Sequence, residues 1–321
     1  MMHSAQISDA ASSGQGYDFS PYFQLLKDKI QDADLAVANM EFTLAGEPYT
    51  GYPCFSAPDT LASYLAECGF DVFLAANNHI FDKGSKGTVR TIEIYRRLQR
   101  DKGIKFTGIA GNAVELQSSN PLMLRHKGIN IALINITYGT NAGSGTDWPR
   151  TNYIGEKEKT AKAFVTAREK GADYIIALPH WGTEYTLRHS RTQEEYARWL
   201  AGQGADFIIG AHPHVVQDTG TIGNVPVVYS LGNAVSNMSA VNTQLELMAT
   251  IRIVRHCNGD LTALPLQLDY LWCSRPGGFC GHYTVIPLKE YIGKQNLWQN
   301  RSDYDKMIST YNRVRKETGI E

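Results

Sequence analysis

The chain has 321 residues, of which 43% are hydrophobic and 20% charged, and its formal net charge is −1. That balance belongs to a globular protein with a core rather than a disordered one, and near-neutrality without a basic stripe argues against a nucleic-acid partner. No apolar run is long enough to span a membrane, and Met1-Met2-His3-Ser4-Ala5-Gln6-Ile7 has neither the basic region nor the apolar core of a signal peptide.

Residues 1–20, rich in Ser, Gly and Ala, read as irregular. An amphipathic helix is predicted over 23–32, and residues 35–41 read as a short buried strand ending on polar residues. Turn-rich loop at 48–58 leads to a helix over 59–68, with Asp59 as a plausible N-cap. Strand 72–76 runs straight into Asn77-Asn78-His79-Ile80-Phe81-Asp82-Lys83-Gly84. A helix over 88–102 closes at Gly103, and 105–107 begins another strand. Residues 121–135 look like two strands joined at His126-Lys127-Gly128. The Gly, Asn and Thr rich stretch 138–152 is long enough to be functional rather than a simple connector.

Helix 157–170 precedes strand 174–178, which ends in Pro179-His180-Trp181-Gly182-Thr183-Glu184-Tyr185. Helix 192–203 then leads to Phe207-Ile208-Ile209-Gly210-Ala211-His212-Pro213-His214. Its first residues are β-branched or aromatic and read as a buried parallel strand. If the segment past Gly210 stays extended, residues i and i+2 face one side, so both imidazoles could meet one point. Strand 225–230 follows. Residues 245–255 and 261–270 form a predicted hairpin about Asn258-Gly259-Asp260, and a polar helical tail covers about 300–318. Helix–strand alternation followed by a hairpin indicates a layered α/β protein, read as one domain over 1–321 with its core at about 17–275. The five cysteines show no CxxC spacing, and an odd count argues against a disulfide framework. Cys273 and Cys280 flank a turn and could pair in an oxidising compartment; separate buried thiols are the plainer reading.

Glu41, Asn78-His79, His180, and His212 with His214 all follow apolar runs. In a mostly parallel sheet those ends lie on one edge, where α/β proteins place ligands, so these side chains can converge. Carboxylate, amide oxygen and imidazole together suit Mn, Fe, Zn or Ni rather than Ca.

In order, Asn39-Met40-Glu41, Asn77-Asn78-His79 through Gly84, His180-Trp181-Gly182-Thr183-Glu184-Tyr185, Gly210-Ala211-His212-Pro213-His214 and Tyr229-Ser230-Leu231-Gly232-Asn233 form a specific combination. Over roughly residues 1–237 the chain resembles the poly-γ-glutamate capsule-biosynthesis (CapA-type) proteins, a branch of the calcineurin-like metallophosphatase superfamily. The resemblance implies a four-layer αββα sandwich and a two-metal site. Asn78, His180 and His212 would hold one metal, His214 would belong to the second, and Glu41 would bridge them. His79, oriented by Asp82, would stabilise charge or protonate the leaving group; a loop-capping histidine and a turn-shaping aspartate are the plainer alternatives.

One departure stands out. The family opens with a strand ending in Gly-Asp, whose Asp is a metal ligand, and Met1-Met2-His3 resembles what normally follows it. The second site would then keep Glu41 and His214, with His3 as a possible stand-in, so one metal or none is expected. The implied function is a metal-dependent hydrolase of capsule or poly-γ-glutamate biosynthesis or processing, using metal-activated water on a phosphoester or a γ-glutamyl amide. The alternative is a non-catalytic polymer-binding or assembly component with a degenerate metal site. Glu184, Tyr138, Asn141 and Asn233 would shape the substrate pocket, and Arg188 and Arg191 could meet an anionic polymer; structural roles are as plausible for each. A nuclease is disfavoured by the charge. The resemblance implies a cell-envelope location, with any export signal expected upstream of Met1, and leaves the oligomeric state open.

Overall fold

The computed structural model describes residues 1–14 and 16–321. It is a mixed α/β structure built around three sheets. In the first, β1 (Val37–Asn39), β2 (Val72–Leu74) and β3 (Lys105–Thr107) run parallel in that order. The second contains β4 (Leu122–His126), β5 (Ile129–Thr137), β6 (Tyr174–His180), β7 (Phe207–Ile209), β8 (Thr219–Ile222) and β9 (Val225–Val228). Its spatial order is β8-β9-β7-β6-β5-β4, with β5, β6, β7 and β9 parallel and the two edge strands antiparallel. The third joins β10 (Leu245–Thr250), β11 (Gln267–Ser274) and β12 (Thr284–Pro287) antiparallel.

Period-two alternation decides how the sheets stack. On β2, Phe73 faces helices Asp59–Cys68 and Gly84–Lys102, meeting Leu61, Leu65, Ile92 and Tyr95. Its neighbours Val72 and Leu74 face the other way, onto Leu122, Leu124 and Leu133 of the second sheet. Along β5, Ile134 and Ile136 meet Phe164, Ala197 and Leu200 of helices Lys157–Glu169 and Arg191–Gly202. Leu133, just before Ile134, turns to the first sheet. The third sheet packs Leu245, Leu247, Tyr270 and Trp272 against Ile209 and Val228, under helix Arg301–Thr318.

Several sequence expectations need correction. Residues 1–20 are not irregular: Ser4–Ala10 is helical, with Gln6 and Ala10 buried and the Gln6 Oε1 accepting from the His3 N–H at 2.8 Å. Burial against the core overrides the weak helix propensity of that composition. The helix predicted over 23–32 is broken into Ser20–Phe23 and Lys27–Gln31. Asp59 is the first helical residue rather than the N-cap, and its carboxylate accepts from both Arg90 Nη atoms at 2.7 and 2.8 Å. The C-terminal hairpin is split: Ile253–Arg255 pairs with Leu261–Ala263 at the tip, apart from the β10–β11 ladder. Cys273 and Cys280 are both free, Cys273 being buried.

Gly210, directly after β7, has no room for a side chain. A Cβ there would lie 2.1 Å from the Tyr229 carbonyl oxygen and 2.5 Å from Trp181 Nε1. Those two atoms are themselves hydrogen-bonded at 2.9 Å, so neither gives way freely. Overpacking of this kind costs about 1–3 kcal/mol. Gly210→Ala is therefore expected to lower the free energy of unfolding by about that amount in chemical denaturation.

Candidate metal centre

The strand ends converge, but from two sheets rather than along one edge. Glu41 follows β1 and Asn78-His79 follow β2; His180 ends β6, and His212 and His214 follow β7. The Asn135 side chain on β5 spans the gap beneath them. Its Oδ1 accepts from the Ala76 N–H at 2.8 Å, and its Nδ2 donates to the Leu178 carbonyl at 2.9 Å. One buried amide thus fixes the loop carrying Asn78 relative to the strand carrying His180. Sequence reasoning missed it, although a lone Asn between Ile134 and Ile136 in a buried strand was a signal that a polar partner existed.

Glu41, Asn78, His79, His180, His212 and His214 are all buried. His180 Nε2 lies 2.8 Å from Asn78 Oδ1 and 3.5 Å from Glu41 Oε1. Glu41 Oε1 is also 3.7 Å from His214 Nε2. The His180 and His212 ring centroids are 4.9 Å apart, and those of His212 and His214 5.8 Å. The paired histidines do not converge through an extended backbone. His212 has φ +105° and His214 φ +59°, left-handed conformations that cost on the order of 1–3 kcal/mol each in a non-glycine residue. Strain of this size, held by the surrounding fold, is a mark of a functional loop.

The electrostatics favour ligand forms of these groups. Burial, reinforced by the nearby His180, pushes the His212 imidazole down to about 3. Burial also lowers His214, against the pull of Glu41. Burial alone would raise the Glu41 carboxyl, but the neighbouring His214 and His180 outweigh it and hold it well below the usual range. Near neutral pH the site therefore presents the Glu41 carboxylate and the unprotonated imidazoles of His212 and His214.

Glu41 Oε1, His180 Nδ1 and His212 Nδ1 are buried and find no hydrogen-bond partner among the described residues. Buried polar atoms left unpaired cost about 1–3 kcal/mol each. One donor atom from each of Glu41, His180 and His212 lies within 4.8 Å of the others. A divalent cation fits this set, and its nitrogen and oxygen donors suit first-row metals.

Around that set, His79 Nδ1 sits 2.8 Å from Asp82 Oδ2, which also accepts from the Phe55 N–H at 2.8 Å. His3 lies close by, its ring 5.3 Å from Phe55, which in turn is 4.7 Å from His79. Asn141 does not face open space. Its backbone N–H donates to the Asn78 carbonyl at 2.8 Å, and its amide lies 3.4 Å from both Asn78 Nδ2 and His79 Nδ1. Asn233 stands behind His214, accepting from its Nδ1 at 3.0 Å and donating to its carbonyl at 3.2 Å, which turns Nε2 toward Glu41. Outer partners of this kind fix ligand orientation.

Tyr138 packs against His212 at 4.6 Å between ring centroids and stays 48% exposed. Tyr185, which the sequence reading did not single out as a site residue, flanks His214 at 6.3 Å and is 44% exposed. Glu184 is exposed at the same mouth. Arg188 and Arg191 are paired elsewhere: Arg188 lies 3.3 Å from Asp218, and Arg191 lies 2.8 Å from Glu195 with its side chain 90% exposed.

If Asn135 sets the spacing of the two sheets, Asn135→Ala should lower stability, since it leaves the Ala76 N–H and the Leu178 carbonyl buried without their partner. The expected loss in urea denaturation is about 2–6 kcal/mol for the two groups together, with a parallel loss of divalent-metal affinity measured by calorimetry.

Known proteins resemble the chain as follows. The family model described as bacterial capsule synthesis protein PGA_cap matches residues 1–238. The capsule biosynthesis protein CapA of Bacillus anthracis is 26% identical over 257 residues, covering 77% of this chain and 61% of that protein. The PGA biosynthesis protein CapA of Bacillus subtilis is 24% identical over 206 residues, 64% of this chain and 52% of that one. The chain thus spans between about half and three fifths of the length of these relatives. Among solved structures, the calcineurin-like phosphoesterase YfkN of Bacillus subtilis aligns with a TM-score of 0.42 at 14% identity, over 80% of this chain and 75% of that one.

Proposed function

The chain belongs to the bacterial capsule synthesis protein family PGA_cap, and we propose that it is a metal-dependent hydrolase acting on the capsule polymer, at γ-linked glutamyl amides, in or beside the cell envelope. The observation that carries this reading is the buried, unpartnered donor set around Glu41. Glu41, Asn78, His180 and His212 would hold a divalent cation, which when bound supplies positive charge to polarise the scissile group and to acidify a water. His214 keeps the far side of Glu41 in place. His79 is the proton-handling group: its Nδ1 is engaged by Asp82, which leaves Nε2 for the leaving atom. Burial excludes bulk water from every one of these groups and so strengthens their charges.

No helix among the described residues is long and apolar enough to cross a membrane. Two tyrosines and a carboxylate, rather than a ring of cations, surround the mouth. An anionic polymer would therefore meet the cation itself, since Arg188 and Arg191 are already paired with Asp218 and Glu195.

Purified protein loaded with Mn²⁺ or Zn²⁺ should release glutamate from a γ-glutamyl oligomer, and His180→Ala should lower the rate at least a hundredfold while leaving the fold intact by circular dichroism. Turnover of a generic phosphodiester but not of the γ-glutamyl oligomer would reassign the substrate to the phosphoester class. Binding of the polymer without turnover of either would instead identify a binding component.

A further inference from the structure

Three solvent-exposed tyrosines gather around the site, each packed on a site histidine or one ring away from it. Tyr138 packs against His212, and Tyr185 flanks His214. The third, Tyr52, comes from the loop between β1 and helix Asp59–Cys68. Its ring centroid is 6.4 Å from that of Phe55, which in turn meets His79 edge-on at 4.7 Å. Burial, then the Glu184 carboxylate, raises the Tyr138 and Tyr185 hydroxyls, and the Tyr52 phenol adds to this at Tyr185, which is pushed up to about 12. Tyr52, Tyr138, Tyr185 and Glu184 therefore share one opening.

Tyr52 is 74% exposed, yet the turn that carries it is fixed at both ends. Thr50 and Ser56 exchange backbone hydrogen bonds at 3.0 and 2.9 Å. The Gly51 N–H donates to Ser4 Oγ at 3.2 Å, and the Phe55 N–H donates to Asp82 Oδ2, the atom that also engages His79. A ring this exposed adds little to folding by burial. An anchored loop that holds such a ring in water beside a site is built as a contact surface, since tyrosine offers a large rigid face with few torsions to immobilise.

We propose that Tyr52 is a substrate-binding residue which, together with Tyr185, grips a γ-linked glutamyl strand where it enters the centre. This rests on the γ-glutamyl reading above and adds to it the groups that recognise the strand beyond the scissile amide. The chemistry matches part by part. Each γ-linked residue carries two methylenes in the backbone and a carboxylate beside them. A tyrosine ring offers an apolar face to the first and a hydroxyl donor to the second. Neutral donors take this role because Arg188 and Arg191 are held by Asp218 and Glu195.

Binding of a γ-glutamyl oligomer to the full chain at fixed Mn²⁺, measured by titration calorimetry, tests this. Tyr52→Ala should weaken the oligomer at least about tenfold, and Tyr52→Phe by a smaller factor, because phenylalanine keeps the apolar face and loses only the hydroxyl. Mn²⁺ affinity should be unchanged in both variants, which separates a lost contact from a disturbed Phe55–Asp82–His79 neighbourhood. Oligomer affinity unaltered in Tyr52→Ala, or lost together with Mn²⁺ affinity, overturns the proposal. Tighter binding of a mononucleotide with the same dependence on Tyr52 overturns it too, since the occupant would then be a nucleobase. The hydrolase reading fails separately: if wild type binds the oligomer through Tyr52 but never cleaves it, the role of Tyr52 stands and the hydrolase is lost.

Discussion

Two sheets meet at this site, and their relative position depends on the buried Asn135 amide. Its oxygen holds the Ala76 N–H and its nitrogen holds the Leu178 carbonyl. Apolar packing between Leu74, Leu124 and Leu133 brings the sheets together, but such contacts are non-directional and tolerate sliding. The amide does not tolerate it, because a small shift would leave polar groups unpaired in a dry interface. Asn78 lies two residues beyond Ala76 and His180 two beyond Leu178, so the bond sets their 2.8 Å approach.

From that constraint the electrostatics follow. Glu41 lies among buried imidazoles: the neighbouring His214 and His180 favour its ionised form against burial, and burial disfavours protonation of His212 and His214. Glu41 Oε1, His180 Nδ1 and His212 Nδ1 remain buried without a hydrogen-bond partner among the described residues. Left-handed backbone at His212 and His214 adds conformational cost, and the fold meets it with Asn233 behind one ring and Tyr138 against the other. On the proposed metal-centre reading, stability is given up locally to pre-organise the donor set.

Much of this was legible in the sequence, for a specific reason. Glu41, Asn78, His180, His212 and His214 each end an apolar run, and strand ends are where α/β folds gather ligands. The short strands themselves were readable from β-branched and apolar runs. What periodicity does not carry is the partner. Nothing local to Asn135 says which strand it reaches, and Asn233 reads as a pocket residue until His214 is seen in front of it. Arg188 looked free to meet a polyanion because Asp218, 30 residues later, is invisible to local reading. The expected extended path through His212 and His214 failed likewise, since positive φ at a non-glycine residue is imposed by the surrounding packing. Ser4–Ala10 became helical for tertiary reasons, through burial of Gln6 and Ala10.

The central claim is that Glu41, Asn78, His180 and His212 together hold one divalent cation tightly. Anomalous diffraction from crystals grown with limiting Mn²⁺ tests it most directly. One strong peak within bonding distance of those four side chains is the predicted result. A fully occupied peak elsewhere, or none in the space around Glu41 at saturating Mn²⁺, would contradict it.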